Sequence, residues 1–449
     1  MKFRKYFVAV AAMMTLVVTT PARAETLADA LTYAYNHSGL LDQNRALLRA
    51  ADEDVAQAVA STLPVISWAA DAGLQTPVGD LFVATARIFG QLTIYDAGAG
   101  QLAVEAQKEL VLGTRQALRG IEQGILLDAV SAYMQVRADT EFVALRQSNL
   151  RVIMQEFRAA QDRFDVGEVT RTDVALAEAR LAAARSLLAS AQGSLARSGE
   201  TYRNAIGRSP NGLQPAQPAP VSKTIADAKA YAVRNHPSIL EVQHSVRAAE
   251  LNIRRGEAGL MPIVTLEGQL GVNQDGIIGR QVGVNVRGPI YAGGALSSQV
   301  RQLMARRDAA RAQLHIARHS LEQQVGSAYS FLEVARASSE AINQQIRAAR
   351  VAFRGVREEA TLGARTTIDV LNAEQELLNA QADLIAAQSD EVIASYQVLS
   401  TMGLLTAAHL RLPVQQYDPA AYYNLVKDAP TIRSDQGQAL DRILRAIGQ

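Results

Sequence analysis

The chain has 449 residues, 48% of them hydrophobic and only 5% aromatic, with 45 basic against 44 acidic side chains and no cysteine. The near-cancelled charge excludes a strong basic field for nucleic acid. The missing cysteines exclude disulfides, a thiolate metal site, a cysteine nucleophile and an acylated N-terminal cysteine anchor. At the N-terminus Lys2, Arg4 and Lys5 precede an apolar stretch, Phe7 to Val18, too short to span a bilayer, and Ala22-Arg23-Ala24 follows as a small-x-small cleavage site. Residues 1–24 read as an export signal. Its removal takes away four basic residues and no acidic one, leaving 41 against 44, a net charge of −3. Beyond it no apolar run reaches about 18 residues, so no transmembrane helix is expected.

The rest of the chain is a duplication, which fixes the order of its elements. Ile94-Tyr95-Asp96-Ala97-Gly98-Ala99 returns as Ile290-Tyr291-Ala292-Gly293-Gly294-Ala295, Tyr133 as Tyr329, Gly167 as Gly363, Asp173-Val174 as Asp369-Val370, and Gly207 as Gly403. Each pair differs by 196 (290−94, 329−133, 363−167, 369−173, 403−207), an ungapped repeat. Upstream, Thr26 to Ala30 resembles Thr224 to Ala228, and Leu63-Pro64 resembles Met261-Pro262, both offset by 198.

The first repeat, 25–207, opens with helix. It then alternates small or polar with apolar side chains over 65–77 and 82–95, around a turn at Val78-Gly79-Asp80. This pattern predicts a β-hairpin. Pro64 stands where helix passes into strand and a missing N–H is tolerated, and glycines after Tyr95 let the chain turn back into helix. Residues 97–165 are Ala-, Gln- and Arg-rich with almost no proline, the composition of a long helix about 100 Å in reach. Val174, Leu181, Leu188, Leu195 and Tyr202, spaced by seven, predict a return helix coiled against a partner.

A linker at 208–223 carries Pro210, Pro215, Pro218 and Pro220. The second repeat, 224–403, predicts a hairpin at 263–273 and 280–291 around Asn273-Gln274-Asp275-Gly276 and a long helix at 293–361. Its return helix has the heptad stripe Leu371, Leu378, Ile385, Val392, Leu399. A tail, 404–449, follows. The fold class is α+β, mostly α: a tandem helix–hairpin–helix repeat. Four strands could cross a membrane but cannot close a barrel alone, and single-chain barrels start at about eight strands. Membrane insertion therefore requires several chains to share one barrel.

With these elements the sequence resembles the TolC family of outer membrane efflux and export channels. The resemblance covers 25 to about 403. It is most specific at Val166-Gly167-Glu168 to Thr172-Asp173-Val174 and its echo Leu362-Gly363-Ala364-Arg365-Thr366 to Asp369-Val370-Leu371. It implies a homotrimer with a 12-strand barrel in outer membrane lipid and a long periplasmic α-helical barrel, with an equatorial belt fed by the linker and tail. It also implies docking to a periplasmic adaptor (membrane fusion) protein and an inner-membrane transporter of RND or ABC type. The implied function is the exit duct of a tripartite efflux pump or type I secretion system, exporting drugs or proteins. No nucleic acid, cofactor or metal is expected.

The resemblance also assigns site residues. Thr172 and Asp173 match first-repeat contributors to a periplasmic gate, Arg365 matches the basic partner from the second repeat, and Glu156 lies where a second partner for Arg365 would be. An aromatic hydroxyl of the family is replaced here by Ala360. Asp369 matches an acidic ring at the entrance constriction that favours cations, and the second ring position is Asn372. The small-residue tips, Val166, Gly167, Glu168, Leu362, Gly363 and Ala364, would receive the adaptor. An alternative reading makes Asp173 and Asp369 ordinary helix N-terminal carboxylates.

The competing classes fit less well. A periplasmic coiled-coil adaptor needs one helical hairpin and a lipoyl-like domain, whereas this chain has two hairpin repeats and membrane-compatible strands. An exported enzyme needs a constellation that is missing: there is no Walker A, G-x-S-x-G or H-E-x-x-H. His315 and His319, at i and i+4 with Glu322 nearby, have chelating spacing but nothing further completes a site.

Overall fold

The computed structural model describes residues 24–447 apart from 76–80, 222 and 432. The export signal and the Val78-Gly79-Asp80 turn thus lie outside the described residues, save Ala24. In chain order the first repeat comprises α1 (Leu27–His37), α2 (Gly39–Ala60), β1 (Val65–Gln75), β2 (Leu81–Tyr95), α3 (Ala99–Asp165) and α4 (Arg171–Ile206). The second comprises α5 (Ile225–Asn235), α6 (Pro237–Ala258), β3 (Ile263–Asn273), β4 (Ile278–Arg287), α7 (Ala295–Thr361) and α8 (Thr367–Thr401). The tail adds α9 (Ala421–Val426) and α10 (Asp435–Ile447). The rods α3 and α7 are each 67 residues long, about 100 Å at 1.5 Å per residue.

The four strands form one antiparallel sheet in the order β1-β2-β3-β4, so the two hairpins join through β2 and β3. Strand β4 starts at 278 and ends at 287, not 280 and 291 as the alternation suggested. Pro289 has no N–H to donate to a ladder, and a Cβ on Gly288 would lie 3.1 Å from the Cα of Pro262.

The strand pairing divides the sheet into two faces. In register Trp68 stands opposite Ile88, Ile88 opposite Leu270, Leu92 opposite Leu266 and Leu266 opposite Val284, with Val282 and Val286 alternating along β4. This face is apolar and open: Trp68 is 78% and Val282 81% exposed. Arg280, two residues into β4, interrupts it. The other face carries Asp71, Arg87, Gln91, Glu267, Gln269, Gln281 and Asn285, with Arg87 bonded to Asp71 at 3.1 Å.

Midway along the rods lies the main core. Leu126, Ala129, Val130 and Tyr133 of α3 pack with α1, Tyr202 and Ile206 of α4, and Leu405 and Leu412 of the tail. A matching cluster seats Leu321, Val325, Tyr329 and Leu332 of α7 against Ala228 and Ala232 of α5. The repeat-related tyrosines pin the linker there. Tyr133 Oη donates to the Gln214 and Glu25 carbonyls at 2.7 and 2.9 Å, and Tyr329 Oη to the Lys223 carbonyl at 3.1 Å. The tail is clipped to the same stretch, with Ala407 N–H donating to Glu122 at 2.7 Å and Tyr422 Oη to Glu53 of α2 at 2.6 Å.

Candidate functional site: the helix tips

Each rod ends in a short turn, 166–170 or 362–366, before its return helix starts. Gly167 (φ 80°) and Gly363 (φ 76°) take the left-handed backbone there, which only glycine adopts at little cost. The turn then closes when the N–H groups of Glu168 and Ala364 bond back to the carbonyls of Arg163 and Glu359, both at 2.9 Å. Val166 and Leu362, beside the glycines, project outward at 71% and 85% exposure.

The return helices start on matching caps. Thr170 Oγ1 bonds Asp173 Oδ2 at 2.7 Å, and that carboxylate also accepts the Thr170 N–H at 2.9 Å. Thr366 and Asp369 repeat the arrangement at 2.8 and 3.0 Å. These are capping boxes. The Thr170 hydroxyl and then its N–H hold the Asp173 carboxyl below the usual carboxylate value. The Thr366 N–H, then its hydroxyl and more weakly Arg365, do the same for Asp369. The helix-terminal role is therefore present at both aspartates.

Within one chain Arg365 does not reach the first repeat. Its Nε donates to Glu359 at 2.9 Å, across its own turn. Thr172 is exposed. Glu156, expected beside Arg365, instead pairs with Arg357 of α7 at 3.3 Å, about two turns up the rod. Ala360 is buried. Asn372 is exposed and accepts a bond from Arg180 of α4 at 3.2 Å.

Above the tips, Leu371 of α8 is buried among Ile153, Ala160, Ala177, Leu181 and Ala184 of α3 and α4. One turn on, Glu374 is buried and accepts a bond from Asn149 of α3 at 2.9 Å. Burial pushes this acid up to about 7; the Asn149 bond opposes the shift, Glu156 adds to it and Arg357 opposes it. Glu374, Asn149, Arg180 and Arg357 lie outside the motifs that the sequence singles out. A signal existed for the first: three residues after Leu371, Glu374 falls where a heptad seats an apolar side chain.

Among the described residues no helix is long and apolar enough to cross a membrane. No group of three or more His, Asp or Glu among them is placed to hold a metal. His315 and His319 are exposed, and His319 Nδ1 lies 3.9 Å from Glu322.

A family model described as outer membrane efflux protein matches residues 31–208 and 231–404, once per repeat. Outer membrane efflux protein BepC of Brucella suis is 37% identical over 438 residues, covering 94% of this chain and 96% of that protein. Outer membrane protein TolC of Escherichia coli is 23% identical over 315 residues, 64% of this chain and 63% of that one. The crystal structure of VceC from Vibrio cholerae shares the fold, with a TM-score of 0.74 at 20% identity over 84% of this chain and 96% of that one. The duplicated rods, the open sheet with one apolar face and the family match in both repeats lead to one assignment. The chain belongs to the outer membrane efflux protein family, channels of the outer membrane that extend into the periplasm.

Proposed function

We propose that three copies of this chain form the exit duct of a tripartite efflux pump or type I secretion system. The observation that carries the reading is the open sheet: four strands of 10 to 15 residues, apolar on one face, with β1 and β4 left as edges. Strands of about 9–11 residues suffice to cross a bilayer. Lipid tolerates no unpaired edge, so β4 of one copy must pair with β1 of the next. Three copies give twelve strands, with the polar face of Asp71, Arg87, Gln91 and Glu267 turned to the lumen.

Energy comes from an inner-membrane transporter, reached through a periplasmic adaptor that seats on Val166-Gly167-Glu168 and Leu362-Gly363-Ala364. The tips form the entrance. Thr172 and Asp173 latch to Arg365, the guanidinium exchanging its intraturn Glu359 bond for a link to a first-repeat tip, and Glu156 braces the seam through Arg357. Asp369 and Asn372 line the constriction, where one acidic ring in place of two gives a weakened cation preference.

The test is single-channel conductance in planar bilayers, wild type against Asp173→Ala with Arg365→Ala. A small, cation-preferring conductance that rises several-fold in the double variant is expected. An unchanged conductance reduces these residues to caps, and a folded oligomer that forms no pore overturns the duct.

A further inference from the structure

Between Leu371 and Glu376, α8 reaches every other long helix of the chain. Leu371 fills the apolar cluster of α3 and α4, and Asn372 takes Arg180 of α4 at 3.2 Å. Glu374 takes Asn149 of α3 at 2.9 Å, and Glu376 takes Gln345 of α7 at 3.3 Å. Any movement of the second-repeat coil away from the first at this level must break the Leu371 and Glu374 contacts. Leu371 is indifferent to its surroundings' chemistry beyond packing, but Glu374 is not.

Glu374 is 6% exposed. Oε1 holds the single bond from Asn149, and Oε2 is buried with no hydrogen-bond partner among the described residues. The charged groups facing it are Glu156 from α3 and Arg357 from α7, already paired with each other at 3.3 Å. From α4 the nearest cation contact to this stretch, Arg180, is bonded to Asn372 instead. An ionised carboxylate with one amide donor and an orphaned oxygen is costly to bury. A protonated one costs far less, because it leaves a hydroxyl without an acceptor but buries no charge.

We propose that Glu374 is a proton-operated positioning residue of the duct. With its proton it seats α8 against α3; on losing the proton it is driven toward water and releases the second-repeat coil above the tips. The inference takes the tips as the entrance, but it is independent of the Arg365 latch. The direction with pH follows from the acid holding its proton up to about 7 when seated, against 4.5 ordinarily. Seating is unaffected below about 4.5, weakens as pH rises through that window, and is weakest above 7. Tenfold per unit gives a fall in the seated-to-released ratio of up to roughly two orders of magnitude. Asp173 and Asp369, held low by their caps, titrate below this window.

The experiment is single-channel conductance of the full-length oligomer from about pH 5 to about pH 8.5. It compares wild type, Glu374→Gln, Asn149→Ala and Arg365→Ala. The wild-type open fraction should rise several-fold between about pH 5 and 7 and level off above 7. Glu374→Gln keeps the shape and the Asn149 bond without a charge at any pH, and should stay low and flat. Asn149→Ala removes a bond that favours the charged form, so its seated acid keeps the proton to higher pH and its rise should continue past the pH where wild type levels off, an extension that loss of packing alone would not produce. A flat wild-type profile overturns the proposal. So does a Glu374→Gln channel that keeps the wild-type rise, or an Asn149→Ala channel whose rise levels off at the wild-type pH. Unchanged conductance in Arg365→Ala, with the Glu374 difference intact, would sink the latch alone.

Discussion

Asp52 of α2 offers a quantitative test of how this chain tolerates buried charge. Its side chain is 0% exposed, neither oxygen has a hydrogen-bond partner among the described residues, and its cation, Arg115 of α3, stands 3.8 Å away. Burial raises the acid from 3.8 to about 6, with Arg115 opposing and Glu53 adding. A raised acid is penalised in its charged form. The penalty is absent below 3.8, grows as pH rises through the window to about 6, and is constant above it. Two units correspond to about 3 kcal/mol at neutral pH. Asp52→Asn removes the charge and keeps the shape, but buries an amide whose donors need partners, a cost of about 1–3 kcal/mol. The expected balance at pH 8 is a stabilisation of about 1 kcal/mol. Matched thermal scans of the detergent-solubilised oligomer at about pH 8, 6 and 4 measure it as an apparent midpoint, since such channels unfold irreversibly. The variant should lie a few degrees above wild type at the highest pH and lose that advantage at the lowest. A variant melting below wild type at pH 8 would refute the reasoning, because the Arg115 attraction would then outweigh desolvation.

Two further outcomes test the faces of the chain. Val282→Lys puts a cation on the apolar face of β4 at a cost of about 2–4 kcal/mol per strand near the bilayer midplane. It should abolish assembly in outer-membrane fractions, while Gln281→Lys on the opposite face should assemble and alter only ion selectivity; equal behaviour of the two would mean the faces are misassigned. Val166→Asp with Leu362→Asp charges the exposed tips without touching caps or core. Efflux or secretion in cells should fail while conductance in bilayers is preserved, and a fall in both would place these residues in the pore's own structure.

The rods and the sheet were legible because their signals are periodic and local. Proline-poor, alanine-rich stretches bounded by Gly98 and Gly167, and by Gly294 and Gly363, delimit α3 and α7 to within two residues of the reading. Alternation located all four strands; it began β4 two residues late, at 280 rather than 278, and overran at 288–291, where the repeat of the first hairpin's Ile-Tyr suggested strand but Pro289 breaks the ladder. The helix-terminal place of Asp173 and Asp369 was legible too, but the threonine three residues before each, Thr170 and Thr366, which completes the box, was not singled out. The polar links across helices were not legible. Glu156 meeting Arg357, Arg180 meeting Asn372 and Asn149 meeting Glu374 depend on helix rotation and stagger, which no single helix encodes.

The repeat itself explains why Glu374 was hidden. Its counterpart 196 residues earlier is Glu178, and the counterpart of Asn149 is Gln345. By sequence the two acids are equivalent, yet Glu178 is exposed in the chain and Glu374 is buried. The difference lies in the seam: α8 packs on α3 within one chain, whereas α4 has no comparable partnership with α7 there. In a closed ring of three copies, the face of α4 bearing Glu178 is where the next copy's α7, with Gln345, would arrive. The same carboxylate–amide chemistry would recur between copies once the Gln345 amide shared or left its bond to Glu376 of its own chain. The Glu156–Arg357 pair, however, has Ala352 and Gln161 as its repeat-related residues, so the seam between copies lacks that charged pair. Duplication supplied the architecture twice, and divergence at a few polar positions made one copy of each seam responsive to protons.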